Sequence, residues 1–275
     1  MGFALSMTGS SIRRWATMFA CMACSALAVA AQSAEPIAVI HFDQYPSGDN
    51  LLTVHASIHG HAGTFLFDTG EGVSMISPAL ARAIGCKPWA QVTGFRMRGD
   101  RVDTPRCDDI AFDVEGRPLT APSVLVFDLM KFFPPNAPVL DGSLGLDLFA
   151  DRAITFELAE KALIVESPQS LASRVAHATQ VPIRLVRDAE GLALSVDVGV
   201  ATPNGTAWMV LDSGSGIIFV SKAIASGLDL DPESRAVQPI RFTIAGAVPV
   251  EGRARVEDDM SMDGISASRF SRNGT

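Results

Sequence analysis

Positive charge is scarce in this sequence. Its 275 residues contain 22 Lys and Arg against 30 Asp and Glu, so the formal net charge is −8. A nucleic-acid binder needs a basic patch to contact phosphates, and this balance argues against such a partner. Aromatic residues are also few, at 7%, whereas apolar residues make up 48% of the chain. That composition is typical of a globular protein rather than a disordered one.

Cysteine is sparse as well, with four residues in the chain. Cys86 and Cys107 form no close C-x-x-C pair, so we expect neither a zinc site nor a redox motif at either of them. In an oxidising compartment the two residues could form a disulfide, and two buried thiols are the alternative. The serine-hydrolase motifs G-x-S-x-G and S-x-x-K are both absent, which argues against that class of enzyme.

Three histidines have the spacing H-x-x-x-H-x-H, which could hold a metal ion: His55, His59 and His61. They share one parity of a predicted strand, while the opposite parity carries the apolar residues Val54, Ala56 and Ile58. The histidines should therefore lie on the solvent face of the strand. We expect no metal and no cofactor.

The N-terminus has the pattern of an export signal. Arg13 and Arg14 precede the uncharged stretch 15–31, and the small residues 28–30 offer an A-x-A cleavage site. A transmembrane anchor is the alternative, but the stretch is short and rich in alanine. The sequence predicts a signal peptide over residues 1–31, a periplasmic or secreted product, and no stable membrane insertion after cleavage.

An internal repeat organises the rest of the chain. In the first copy, alternating apolar residues between positions 52 and 58 precede Asp68-Thr69-Gly70. In the second, the same alternation between positions 192 and 200 precedes Asp212-Ser213-Gly214. Apolar residues at every second position indicate β-strands with one buried face. The sequence thus predicts a mostly β protein that arose by duplication.

The similarity between the copies continues after each aspartate. Ser77 follows Asp68 by nine positions and should cap a short helix, since Pro78 and Gly85 are typical of a helix start and end. Ser221 follows Asp212 by the same interval. Farther along, the stretch 141–149 has a partner at 263–270, although Ala267 replaces the expected glycine.

These features predict two lobes related by a pseudo-twofold axis. The N-terminal lobe covers 36–166 and ends in a hairpin at 154–165, a linker covers 167–181, and the C-terminal lobe covers 182–275. The second copy has no equivalent of the closing hairpin, and its last ten residues lack apolar periodicity. We expect that this lobe is truncated or ends in a shifted reading frame.

The repeated aspartates have a chemical consequence. Each follows an apolar strand into a low-dielectric interior, where an ionised carboxylate is costly unless it is hydrogen-bonded. If the lobes bring Asp68 and Asp212 together, two like charges in contact cannot both form easily, so the pair shares one proton. Such a pair can activate a water molecule by general acid–base catalysis.

Phe67-Asp68-Thr69-Gly70, Leu211-Asp212-Ser213-Gly214-Ser215 and Leu144-Gly145 together resemble the pepsin and retropepsin-like aspartic proteases, particularly their small bacterial exported members. The resemblance implies the duplicated acid protease fold, with short helices. It implies endopeptidase activity on a peptide or unfolded protein, and a monomer. The catalytic residues would be Asp68 and Asp212, supported by an active-site loop set of Thr69, Gly70, Ser213, Gly214, Leu144 and Gly145.

The resemblance also implies a flap, a hairpin that folds over the substrate, with its tip around Gly94, Phe95, Met97 and Gly99. Glu71 departs from the family, which usually has a small residue there, and it should place a third acid near the pair. Two alternatives remain. One is a peptide-binding module with weak catalysis, and the other is a retropepsin-like homodimer that uses Asp68 only.

Overall fold

The computed structural model describes residues 35–46, 51–95 and 101–215 in full, and strands 237–244, 248–255, 261–262 and 265–266 by their backbone. The described chain is mostly β, as expected from the alternating apolar residues. Residues 1–31, the predicted signal peptide, lie outside the described residues. Among the described residues, no helix is long and apolar enough to cross a bilayer.

The described residues form mainly β-strands, with two short α-helices between them. The strands are β1 Ala38–His41, β2 Asp43–Gln44, β3 Leu52–Ile58, β4 His61–Phe67, β5 Met75–Ile76, β6 Trp89–Phe95, β7 Arg101–Val114, β8 Arg117–Val126, β9 Gly142–Leu144, β10 Ile154–Glu157, β11 Ala162–Val165, β12 Ile183–Asp188, β13 Ala193–Thr202, β14 Gly205–Val210, β15 Val237–Ile244, β16 Val248–Arg255, β17 Ser261–Met262 and β18 Ile265–Ser266. The helices are α1 Pro78–Ala83 and α2 Pro168–Val175, and 3-10 turns occur at Leu129–Phe132, Leu146–Phe149 and Ala189–Gly191.

The largest sheet has eight strands in the order β2-β3-β4-β9-β5-β8-β7-β6. Strands β3 and β4 form an antiparallel hairpin, closed by His59 and Gly60 in left-handed conformations. The apolar parity of β3 faces the core, and His55 and His61 are exposed as the alternation predicts. Strand β9 is parallel to β4 and pairs Leu144 with Phe67. It therefore lies beside the end of β4, directly before Asp68.

Helix α1 forms where the capping signals predict it. The Ser77 side chain accepts a hydrogen bond from the backbone N–H of Leu80 at 3.1 Å, and Pro78 occupies the first turn, where its missing N–H costs nothing. Gly85, with φ +75°, follows the helix end. Leu80 and Ala81 are buried against the main core. The sequence prediction for this helix is confirmed.

Cys86 and Cys107 form a disulfide, with their Cα atoms 6.3 Å apart. The bond links the chain just after α1 to strand β7, across a separation of 21 residues. Cys107 is buried in the main core, whereas Cys86 lies partly exposed beside it. Of the two possibilities that the sequence left open, the structure contains the bridge.

The predicted hairpin at 154–165 is present as β10 and β11. It joins β1 in a separate three-stranded sheet, in which β11 is central. Helix α2 then occupies much of the predicted linker, with a capping box between Ser167 and Ser170. The buried Glu166 side chain accepts hydrogen bonds from Thr155 Oγ1 and Arg174 Nε, both at 2.6 Å, and so anchors this helix to the hairpin.

The second copy is described through residue 215. Strands β12, β13 and β14 form an antiparallel sheet, with a turn at Pro203 and Asn204 between β13 and β14. Beyond it, β15 pairs with β16 and β17 with β18. The serine-capped helix at Ser221, the Asp263-Gly264 pair and Ala267 lie outside the described residues. The duplicated two-lobe arrangement and the truncation of the second lobe therefore stay predictions.

Candidate active site

The two motif aspartates are placed at the ends of equivalent strands. Asp68 follows β4, and its backbone N–H donates to Leu144 O at 3.0 Å, which ties the start of the loop to β9. Asp212 follows β14, after Leu211 N–H has donated to Val196 O on β13 at 2.8 Å. Each aspartate thus begins a loop whose starting point is fixed by backbone pairing.

Thr69 and Ser213 connect the two loops by reciprocal hydrogen bonds. The Thr69 N–H donates to Ser213 Oγ at 3.1 Å, and the Ser213 N–H donates to Thr69 Oγ1 at 3.0 Å. Each hydroxyl then donates across to the other strand end, Thr69 Oγ1 to Leu211 O at 2.6 Å and Ser213 Oγ to Phe67 O at 2.9 Å. Because every donor is matched by an acceptor from the opposite loop, the arrangement is symmetric about its centre.

Gly70 and Gly214 bring the two carboxyl groups together. The Gly70 N–H donates to Asp68 Oδ1 at 2.8 Å, and the Gly214 N–H donates to Asp212 Oδ1 at 2.9 Å. Each glycine also packs against the opposite aspartate: a Cβ atom on Gly70 would lie 2.6 Å from Asp212 Cγ, and one on Gly214 would overlap the Asp68 carboxyl group. Only glycine leaves room for both carboxyl groups.

The Asp68 carboxyl group is desolvated and lies beside a like charge. Burial and the neighbouring Asp212 raise the pKa of Asp68 to about 7, and a hydrogen bond between the two side chains adds to the effect. Backbone hydrogen bonds from Gly70 and Glu71 act in the opposite direction. The structure thus brings together Asp68 and Asp212, the two aspartates singled out in the sequence, and the pKa of Asp68 lies above the ordinary range of a carboxyl group.

A second layer of buried polar groups lies against this pair. Glu71 Oε2 is hydrogen-bonded to Ser143 Oγ on β9. Next to it, Asp147 accepts from the N–H of Ser74 at 3.1 Å and from its hydroxyl at 2.7 Å, and Ser74 Oγ in turn accepts from the Gly145 N–H at 2.9 Å. Burial raises the pKa of Asp147 to about 6. Leu144 and Gly145 therefore both lie against the loop that carries Asp68, and their supporting role stays a prediction.

Residues 54–148 match the family model for aspartyl proteases. Over these residues the chain is similar to the aspartyl protease family. The pepsin and retropepsin-like assignment made from Asp68-Thr69-Gly70 is thereby confirmed. The matched range contains this motif, Glu71, Gly145 and Asp147, whereas the second motif at Asp212 lies outside it.

Among the solved structures that are similar to this chain are the following two. One is a retropepsin-like aspartic protease from Rickettsia conorii, at 12% identity and a TM-score of 0.32, covering 46% of this chain and 88% of that protein. The other is Basic 7S globulin from soybean, at 10% identity and a TM-score of 0.38, covering 62% of each chain. No curated protein matches the sequence significantly.

The position predicted for the flap falls on the hairpin of β6 and β7. Gly94 and Phe95 pair with Val102 and Arg101, and the Phe95 side chain is 68% exposed. Met97 and Gly99, the other predicted flap residues, lie outside the described residues. At the base of the hairpin, Trp89 Nε1 donates to Asp108 Oδ2 at 2.9 Å. The hairpin is present, and its role as a flap stays a prediction.

Sequence reasoning missed the buried partners of the aspartate loop: Ser74, Ser143 and Asp147. One signal was available, because Asp147 is the charged residue in an otherwise apolar run at 144–149 that is buried throughout. Separately, a groove of about 500 Å³ lies over β3 and β4, lined by His55, Asp113 and Asp141 among others. It contains neither Asp68 nor Asp212, and it is wide open to solvent. Among the described residues, no cluster of His, Cys, Asp and Glu is placed to hold a metal ion.

Proposed function

We propose that this chain is an aspartic endopeptidase in which Asp68 and Asp212 of one molecule form the catalytic pair. The observation that carries the proposal is the reciprocal bonding of Thr69 and Ser213, which holds two equivalent loops face to face. Combined with the hydrogen bond between the aspartate side chains, it gives the arrangement needed to polarise one water molecule.

The proton distribution assigns the two roles. Because burial and Asp212 raise the pKa of Asp68 to about 7, we assign the role of acid to Asp68 and the role of base to Asp212. Asp212 takes a proton from the water as its oxygen attacks the peptide carbonyl carbon, while Asp68 donates its proton to the carbonyl oxygen. The C–N bond then breaks as Asp212 protonates the leaving nitrogen, and Asp68 recovers a proton from the tetrahedral hydroxyl. Both residues return to their starting state.

The proposed substrate is a peptide or an unfolded protein segment. An extended chain fits a cleft that is covered by a hairpin, and the exposed Phe95 would contact its apolar side chains. Cleavage of the proposed signal peptide would deliver the enzyme to the periplasm or the exterior as a monomer. The disulfide between Cys86 and Cys107 supports this location, since such bonds persist in oxidising compartments.

A binding module on the same fold is the second candidate. It would retain the loops of Asp68 and Asp212 but not turn over substrate. The homodimer that uses Asp68 only has less support, because Asp212 from the same chain already occupies the position that a partner chain would fill.

Digestion of a peptide library by the secreted chain tests the proposal. We expect cleavage that is blocked by pepstatin and is lost in both Asp68→Asn and Asp212→Asn. Asp151→Asn is a matched control, because that aspartate is exposed and distant in sequence from both motifs. Binding of peptides without cleavage by the wild-type chain would favour the binding module instead.

A further inference from the structure

Glu71 is the one acidic side chain in the first motif whose role the proposed mechanism does not explain. It directly follows Gly70, and its backbone N–H hydrogen-bonds the Asp68 carboxylate. Its side chain turns inward, where Oε2 meets Ser143 Oγ. Part of the residue reaches the surface, but Oε1 has no access to solvent and no hydrogen-bond partner in the described part of the chain.

The groups around this carboxyl group are acids. Asp68, Asp147 and Asp212 all act on it through their charge, and Ser143 supplies its hydrogen bond. None of the groups with the largest influence on its titration is a cation. A carboxylate that has one hydroxyl partner, one oxygen shielded from solvent and three acids nearby is less stable than the neutral acid.

The carboxyl group is also confined. A Cβ atom on Gly145 would lie 3.4 Å from Glu71 Cγ and Oε1, and 2.9 Å from Asp147 Oδ1. Gly145 itself is fixed, because its N–H donates to Ser74 Oγ. The side chain of Glu71 is therefore held between β9 and the turn at Leu146–Phe149.

We propose that Glu71 is a positioning residue that remains a neutral acid beneath Asp68, keeps water from it and thereby holds the Asp68 carboxyl group in its protonated form. The site then retains two protons on three carboxyl groups, one on Glu71 and one shared by Asp68 and Asp212. The protonation state of Glu71 does not depend on the proposed function. Its consequence for catalysis does rest on that function: Asp68 and Asp212 should still cleave peptides as the pH approaches neutral.

Burial raises the pKa of Glu71 well above its usual value, and the charge of Asp68 raises it further, which agrees with this geometry. The hydrogen bond from Ser143 lowers the pKa, but burial is the larger effect. With Glu71 neutral, the negative charge shared by Asp68 and Asp212 has no third carboxylate charge beside it.

Carbon-13 NMR of the chain labelled at the Glu and Asp side-chain carboxyl carbons tests the protonation state without any need for turnover. We expect one Glu resonance to remain in the protonated position at pH 7 and to disappear in Glu71→Gln. If every Glu resonance titrates at the ordinary midpoint, Glu71 is ionised and the proposal is wrong. Should Glu71→Gln fail to fold, Ser143→Ala assigns the resonance instead, because loss of that hydroxyl moves its titration to higher pH.

The positioning role has its own measurement, the Asp68 titration, assigned by its loss in Asp68→Asn. In Glu71→Ala, water reaches Asp68, and its midpoint should fall by about one pH unit. Glu71→Gln fills the same space with a neutral group and should restore the wild-type midpoint. Glu160→Ala, at an exposed turn, is the matched control. An unchanged midpoint in Glu71→Ala would overturn the positioning role, whether or not the wild-type chain cleaves peptides.

Discussion

Thr69 and Ser213 exchange hydrogen bonds although 144 residues separate them in the sequence. The N–H of each donates to the hydroxyl oxygen of the other, at 3.1 and 3.0 Å. The two loops are thus fixed to each other directly, rather than through the strands that carry them. This connection determines the distance between the aspartates that precede these two residues.

Removal of the Thr69 hydroxyl should separate the loops. In Thr69→Val, the Ser213 N–H and the Leu211 carbonyl both lose their partner, and an unpaired buried polar group costs about 1–3 kcal/mol. We expect a lower free energy of unfolding by about 2 kcal/mol and a large loss of kcat. Thr69→Ser keeps the hydroxyl and should therefore retain most of the wild-type free energy of unfolding and most of kcat. Equal behaviour of the two variants in denaturant unfolding and peptide cleavage would contradict the role of this hydroxyl.

A methyl group at Gly70 should separate the carboxyl groups of Asp68 and Asp212, because it would occupy the space of the Asp212 side chain. Its Cβ would lie 2.6 Å from Asp212 Cγ, so the carboxyl group must move away from Asp68. We expect Gly70→Ala to lose at least about two orders of magnitude in kcat/KM, since misplacement by about 1 Å can cost that much.

Gly116→Ala provides a control for this change. Gly116 lies at an open turn with φ +76°, where alanine is strained but contacts nothing. It should reduce stability by about 1 kcal/mol and keep kcat/KM. Retention of activity in Gly70→Ala would show that the aspartates do not need the observed contact.

The stability of the fold should decrease as pH rises. Burial raises the pKa of Asp147 to about 6 and, together with Asp212, that of Asp68 to about 7. Between about pH 4 and these values the folded chain binds more protons than the unfolded chain, so the free energy of unfolding falls with increasing pH. Asp147 alone lowers the free energy of unfolding by about 3 kcal/mol as the pH rises from about 4 to above its pKa of about 6.

Calorimetric melting between pH 4 and pH 8 measures this dependence. Asp147→Asn cannot ionise, so its melting temperature should vary less with pH than that of the wild type. Asp151→Asn, at an exposed position, should leave the slope unchanged. A wild-type chain that is more stable at pH 8 than at pH 4 would show that Asp147 and Asp68 are not desolvated as described.

The disulfide should contribute measurably to stability. It links Cys86 to Cys107 across 21 residues, and closure of a loop of that size stabilises a fold by about 3 kcal/mol. We expect the double variant Cys86→Ser, Cys107→Ser to melt on the order of 10 °C lower. A reductant should lower the melting temperature of the wild type but not that of the double variant. Equal effects of reductant on both would indicate that the two thiols are not bridged.

Local patterns in the sequence predicted the local structure well. Ser77, Pro78 and Gly85 define α1 because capping depends on residues within one turn of each other. The alternation before Asp68 predicted β3, because the period of two places every second side chain on the same face. The motif and the apolar strand before it were enough to identify the candidate aspartates.

Contacts between distant residues could not be predicted in the same way. Alternation identifies the buried face of a strand but not its neighbour, so the parallel pairing of β4 with β9 was not expected. The same limit applies to the hydrogen bonds of Glu71 with Ser143 and of Ser74 with Asp147, which connect residues more than 70 positions apart. The presence of Glu71 near the aspartates was predicted from its place in the motif, but its confinement depends on β9.

The turnover of Asp212→Asn is the most direct test of a catalytic pair within one chain. The substitution keeps the size of the side chain but removes the base that would accept the proton from water. The account predicts that cleavage is abolished in this variant, that it is equally abolished in Asp68→Asn, and that a mixture of the two variants stays inactive. Near-normal cleavage by Asp212→Asn would contradict the account and would favour a dimer in which each chain supplies Asp68.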